Sequence, residues 1–283
     1  MGFGRTRRSR KETIVENIGM QALANAEKAV RLEQKCSKHG KNLYTYKNNA
    51  GEQVTYCPQC RAEDLASLQE RFDQQARQSI IERKFRENSL VNSKMWKCTF
   101  DNFAAQPGSA EEFIKGQVRN VAIAFATKPV AHHAVLYGQP GAGKSHLAMA
   151  MMQEIHKHRP AQTMASINIS RLFSKIKNSF DDHSEYWTKE KALEIMTDVD
   201  LLCIDDLGTE SSMGRTGQEA TKWAQDVIYD VLENQDRIII TTNISERDLK
   251  RVYDAKIFSR IFANSQNTRF DFTGISDKRL VGV

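Results

Sequence analysis

Residues 138 to 145 read GQPGAGKS, a glycine followed by four residues and then Gly-Lys-Ser. The run Ala134-Val135-Leu136-Tyr137 before them is apolar and predicts a strand. Lys144 to Lys157 after them predicts a helix. A strand, a glycine loop and a helix in this order constrain the chain more than any other feature, because the unit packs only into a sheet with helices on it. Glycines let successive backbone N–H groups converge on phosphate oxygens with no Cβ in the way. The helix start adds its positive end. Lys144 is expected to place a point charge on the β- and γ-phosphates of a nucleotide, and Ser145 to offer its hydroxyl to Mg²⁺. Gly138, Gln139, Pro140, Gly141, Ala142, Gly143, Lys144, Ser145 and His146 are therefore the expected nucleotide-binding stretch.

About sixty residues on, Leu201-Leu202-Cys203-Ile204 runs into Asp205-Asp206. Asp205 is expected to hold Mg²⁺ from the strand tip, and Asp206 to polarise the attacking water. Cys203 reads as a packed core residue. A third apolar run, Ile238-Ile239-Ile240, ends in Thr241-Thr242-Asn243. If its strand lies between the other two, Asn243 faces the γ-phosphate and orients the water. Capping the next helix is the other role open to Asn243, and Ser245 suits that better.

Further elements follow the same reading. Ser109 and Glu112 form a capping box for a helix to about Thr127. Strands are expected at 163–167, 200–204 and 268–272. Helices are expected within 169–197 and at 219–234, 245–252 and 254–263. Strands alternating with helices predict an α/β fold, a parallel sheet covered on both faces.

The chain has 283 residues, enough for about two domains at roughly 150 residues each. No apolar run reaches the ~18 residues of a membrane span, and no apolar stretch follows the basic start MGFGRTRRSRK. With five cysteines and no secretion signal, the expected compartment is reducing cytoplasm, with no membrane partner. The net charge of +6 is compatible with nucleic acid. Residues 14–35 predict a helix, and 61 to about 92 a second one poor in apolar residues. The expected division is 1–60 for an N-terminal helix and metal module, 61–95 for a helical linker, and 96–283 for the nucleotide-binding domain.

Cys36-x2-His39 and Cys57-x2-Cys60 are separated by seventeen residues. In each pair the two-residue spacer lets both side chains converge on one ion. Three sulfurs and one nitrogen select Zn²⁺ in a tetrahedron, and four protein ligands leave no open position, so the site is expected to be structural. So few apolar residues surround it that the metal is expected to supply the folding energy.

From residue 96 onward the chain resembles AAA+ ATPases, within them the DnaC/DnaI-type bacterial and phage helicase loaders. The resemblance is carried by Cys98-Thr99-Phe100-Asp101-Asn102-Phe103, GQPGAGKSH, IDDLGTE with Gly208 and Glu210, TTN, Ile257-Phe258-Ser259-Arg260-Ile261, and Gly274 to Arg279. It implies an AAA+ P-loop core preceded by a small zinc-binding α+β domain. Arg260 would be an arginine finger reaching the γ-phosphate held by a neighbouring subunit of a homo-oligomeric ring or spiral. Arg279 would sense the nucleotide, and Phe100 and Phe103 would pack near the adenine. The implied function is ATP-dependent delivery of a hexameric DnaB-type replicative helicase onto single-stranded DNA, with ATP, Mg²⁺ and Zn²⁺ as cofactors. The N-terminal module would contact the helicase. Asp206 stands where many AAA+ proteins carry Glu, and the shorter side chain implies slow, switch-like hydrolysis. An IstB-like helper of DNA transposition shares the core, and a zinc-stabilised adaptor with a vestigial ATPase is a third reading. The zinc module followed by a long helix favours the loader. Lys144, Asp205 and Arg260 argue against a vestigial site.

Overall fold

In the computed structural model, residues 29–128, 132–209 and 222–278 are described. The chain divides into two units, one ending at Ala76 and the other beginning at Arg77.

Three antiparallel strands open the first unit: β1 (Val30–Lys35), β2 (Asn42–Lys47) and β3 (Gln53–Tyr56). β1 corrects the helix expected over 14–35. Its backbone pairs Val30 with Thr45 and Arg31 with Tyr44, and that ladder outweighs a loose helical spacing of apolar residues. Residues 14–28 lie outside the described residues. Between β2 and β3, Asn48 Oδ1 accepts the N–H groups of Ala50 and Glu52, and Gly51 takes a left-handed φ of 82°. The turn sets the register, so Tyr44 faces Tyr56 and Tyr46 faces Val54. Helix α1 (Pro58–Glu87) then starts on a proline, whose missing N–H costs nothing in the first turn. Within α1 only Phe85 is buried, while Leu65, Leu68, Phe72 and Ile80 are exposed.

The second unit is built on a five-stranded sheet in the order β5-β6-β7-β4-β8, every pairing parallel. In chain order its elements are α2 (Ala110–Thr127), β4 (His132–Tyr137), α3 (Lys144–His158), β5 (Met164–Asn168), α4 (Ile169–Asn178), α5 (Lys189–Asp198), β6 (Leu201–Leu207), α6 (Lys222–Asn234), β7 (Arg237–Thr242), α7 (Glu246–Val252), α8 (Ala255–Ile261) and β8 (Arg269–Asp271). Alternate strand residues feed two cores. Ala134, Leu136, Leu201, Cys203 and Ile239 pack with α2 and α3, and Val135, Leu202, Ile204, Ile238 and Ile240 with α4 to α8. Both faces are buried, which is why these strands read as continuous apolar runs. Leu136 is fully buried, and truncating such a side chain to alanine costs about 2–5 kcal/mol. Cys203 is core, as expected, and burial pushes its thiol well up.

Helix α2 is capped by Ser109, whose Oγ accepts the Glu112 N–H at 3.2 Å. The Glu112 carboxylate takes the N–H of Gly108, one residue before the cap. Phe85, Val91, Met95 and Trp96 join the α2–α3 core, and Leu90 pairs with edge strand β5 through Ser166 and Asn168. β7 lies between β6 and β4, so the carboxyl ends of the three strands lie side by side, where ligands of open α/β sheets bind.

Candidate functional site

Gly138, Gly141 and Gly143 all have positive φ. At two of them space also demands glycine: a Cβ on Gly138 would sit 2.7 Å from the Phe272 carbonyl carbon, and one on Gly143 2.5 Å from the Phe103 ring. Gly143 caps α3, and among the described residues no side chain makes a capping hydrogen bond to this positive helix end. Lys144 is buried, and its ammonium donates to the carbonyls of Gly138 (2.8 Å) and Gln139 (2.7 Å). Pro140, Gly141, Gly143, Lys144, Ser145, His146, Asp206 and Asn243 line one cavity of about 380 Å³. The strand order thus brings together the loop, one of the two acids and Asn243. Ala142 is buried, and Gln139 Nε2 donates to the Ile275 carbonyl.

Asp205 is buried behind this cavity. Its Oδ1 accepts the Thr241 hydroxyl at 2.8 Å, and its Oδ2 accepts Asn168 Nδ2 at 3.2 Å. Asn168 Nδ2 lies equally close to Asp206 Oδ2, at 3.2 Å. Asn243 Nδ2 is 3.4 Å from the other Asp206 oxygen, and the Asp206 N–H donates to Thr241 Oγ1 at 2.9 Å. Asp206 holds a left-handed φ of 59°, a conformation that costs about 1–2 kcal/mol outside glycine and that Asn and Asp tolerate best. Asn168 and Thr241 were not legible as site residues. Asn168 ends β5 and caps α4 through Oδ1 to the Arg171 N–H, and that cap is the only signal it carries in the sequence.

Beside the phosphate loop lies a cavity of about 700 Å³ whose walls include Phe103, Ala104, Gly141, His146 and Lys278. Phe103 lines it. Phe100 is not among its walls; both rings are buried in the α2–α3 core, and the Arg119 guanidinium lies 5.7 Å from the Phe100 ring centre. His146 meets Phe103 edge-on and its Nε2 lies 2.9 Å from the Thr99 carbonyl. Desolvation holds this imidazole below its usual range. Lys278 was also missed. Its N–H donates to the Gly141 carbonyl at 3.1 Å, its ammonium donates to the Ala104 carbonyl, and it stands 3.9 Å over the Phe103 ring. Arg279 and Glu210 lie outside the described residues.

Arg260 sits in α8. It pairs with the Glu233 carboxylate, donates to Tyr229 Oη at 3.1 Å and stacks 4.5 Å over that ring. These are contacts within one chain.

In the first unit, Cys36, His39, Cys57 and Cys60 place their ligand atoms within 4.8 Å of one another. His39 Nδ1 is 3.3, 3.7 and 3.8 Å from the sulfurs of Cys60, Cys57 and Cys36, and Cys36 lies 3.8 Å from Cys60. A tetrahedron with Zn–S bonds near 2.3 Å has S–S edges of about 3.8 Å, so donor set and spacing both fit zinc. Local geometry builds each half. Gly40, at φ 64°, closes a turn in which its N–H reaches the Cys36 carbonyl, and Cys57 and Cys60 flank the first turn of α1. Backbone N–H groups of His39 and Cys60 hold the Cys36 and Cys57 thiols below their usual range, while desolvation and the neighbouring sulfurs push Cys60 up to about 11.

Among the described residues no helix is long and apolar enough to cross a membrane. A family model described as the bacterial DnaA ATPase domain matches residues 95–264, more than half of the chain. The uncharacterized protein YdaV of Escherichia coli (strain K12) is 26% identical over 69% of this chain and 73% of its own length. Replicative helicase loader DnaC of Buchnera aphidicola subsp. Acyrthosiphon pisum is 28% identical over 44% of this chain, and that of subsp. Schizaphis graminum 23% over 61%. These matches span 48% and 66% of the two loaders' own lengths. Among solved structures, the DnaC helicase loader superposes with a TM-score of 0.50 at 21% identity, covering 64% of this chain and 99% of that one. DnaI gives 0.50 at 18%, covering 67% and 95%. At these identities the likeness is one of fold.

Proposed function

The chain belongs to the bacterial DnaA ATPase domain family, and we propose that within it this protein is an ATP-controlled helicase loader. One observation carries the reading: a single cavity is lined by Lys144, Ser145, Asp206 and Asn243 at the open start of α3. Loop N–H groups and the helix end receive the phosphates, and Lys144 leaves its two loop carbonyls to meet the β- and γ-oxygens. Ser145 would hold Mg²⁺ by its hydroxyl and Asp205, from behind the cavity, through water, and the ion would supply charge neutralisation at the phosphates. Asp206 takes a proton from the attacking water, and Asn243 orients that water. Asn168 and Thr241 fix the two carboxylates. The short reach of Asp206 keeps hydrolysis slow, which suits a switch better than a motor. Phe103 and Lys278 wall the nucleoside side, with Arg279 as the nucleotide-sensing arginine.

Arg260 acts on the γ-phosphate of a neighbouring subunit, after leaving Glu233, so the working form is a ring or spiral. The division of labour places a structural Zn²⁺ and the helicase contact in 1–60, a helical connector in 61–95 and the ATPase in 96–283. The cargo is a DnaB-type hexameric helicase and the destination single-stranded DNA, as the name of the DnaC relatives suggests for the helicase. The test is a pull-down of the host's replicative helicase with the full chain and with a chain lacking residues 1–76, which leaves Phe85, Val91 and Trp96 in the second core. Capture by the full chain alone supports the reading. Equal capture by both moves the contact to the second unit, and capture by neither sinks the loader assignment.

A further inference from the structure

We propose that Glu63 is the positioning residue of the Cys36–His39–Cys57–Cys60 cluster, holding the His39 ring so that Nδ1, and not Nε2, is the metal ligand. The inference rests on the zinc reading and adds to it a residue outside the four ligands. His39 has two ring nitrogens with opposite surroundings. Nδ1 faces three sulfurs between 3.3 and 3.8 Å away, and Nε2 lies 3.0 Å from Glu63 Oε1. A carboxylate can only accept here, so Nε2 carries the proton and Nδ1 presents its lone pair to the sulfurs. The other carboxylate oxygen accepts the Lys38 ammonium at 2.6 Å.

The placement follows from the local sequence. Glu63 stands three residues after Cys60 in α1, so the two side chains share a helix face. Lys38 and His39 lie together in the turn closed by Gly40. One helix therefore delivers a sulfur and a carboxylate to the same turn. The His39 side chain is largely buried, at 10% exposed, and its Nε2 meets Glu63, whose side chain is 44% exposed, so the carboxylate reaches the ring from the solvent side. A carboxylate behind a ligating imidazole fixes its orientation and raises its basicity, and losing it typically weakens metal binding about 10–100-fold. Lys38 offsets the added negative charge and steadies the carboxylate, but it does not touch the ring.

The test uses the full chain and Zn²⁺ itself. Metal content of the wild type comes first: a wild type holding no zinc removes the underlying site, and the inference goes with it. Given one zinc per chain, chelator competition is compared for wild type, Glu63→Gln, Glu63→Ala and Lys38→Ala. Glu63→Ala is expected to weaken affinity by about 10–100-fold. Glu63→Gln keeps an acceptor oxygen, so it is expected to recover most of the loss, and Lys38→Ala to change affinity little. The Co²⁺-substituted wild type and Glu63→Gln should share one visible spectrum, with Glu63→Ala shifted. Unchanged affinity in Glu63→Ala overturns the inference. So does a loss in Lys38→Ala as large as in Glu63→Ala, which would make the contact a surface clamp.

Discussion

Asp206 combines the two marks expected of a reacting group: a left-handed backbone at φ 59° and a carboxylate aimed into a polar cavity. Asn168, Asn243 and the Thr241 hydroxyl hold it there. Asp206→Asn preserves size and tolerates the same φ, but its amide nitrogen replaces an oxygen that accepts from Asn168 or Asn243, so a loss of about 1 kcal/mol in stability is expected while ATP should still bind. A base worth about 10²–10⁴-fold is lost, and single-turnover hydrolysis should fall by at least the lower figure. An unchanged hydrolysis rate would remove Asp206 from the reaction. That Lys144, Ser145 and Asp206 would come together at one cavity was legible because a glycine loop opening a helix and a strand-end acid pair have few other uses. Asn168 and Lys278 were not, because each also performs an ordinary local task. One caps a helix, and the other stacks on Phe103.

Elements were read well where they are buried on both faces. The apolar runs of β4, β6 and β7 mark themselves, since the middle of a strand covered by helices on each side is apolar and its polar residues fall at the ends. β1 failed for the opposite reason. Five of its six residues are exposed or carry polar side chains, and its conformation is set by pairing with β2, which no local pattern encodes. The same contrast separates the two units energetically. The second has two apolar cores on its sheet, whereas the first has half-buried tyrosines and the Cys36, His39, Cys57 and Cys60 side chains, whose spacing fits a metal ion. Cys60→Ser should therefore release the zinc ion and unfold the first unit only, because one lost ligand opens the tetrahedron. The check is metal content, ATP binding and far-ultraviolet dichroism on one preparation, with retained zinc as the result that breaks the ligand set. At α8, Arg260→Ala should leave ATP affinity unchanged and cut hydrolysis about 10³-fold or more. A mutant that hydrolyses ATP normally would confine Arg260 to its Glu233 and Tyr229 contacts.

At the scale of the whole molecule, the proposed function joins a nucleotide switch to a helicase contact. The fold and the cavity at the glycine loop follow from strand order and burial. Which partner the chain serves does not, because recognition of another protein is written in surface residues whose pattern has no period. The most direct measurement is transfer of the host's DnaB-type helicase onto circular single-stranded DNA that has no free end. Wild type and Lys144→Ala are compared, each with and without ATP. Removing the Lys144 ammonium leaves the β- and γ-phosphates under-neutralised while the sheet below stays packed. The account predicts loading by the wild type that changes with ATP, and none by Lys144→Ala even though that mutant still captures helicase. Equal loading by both proteins, with or without nucleotide, would contradict it.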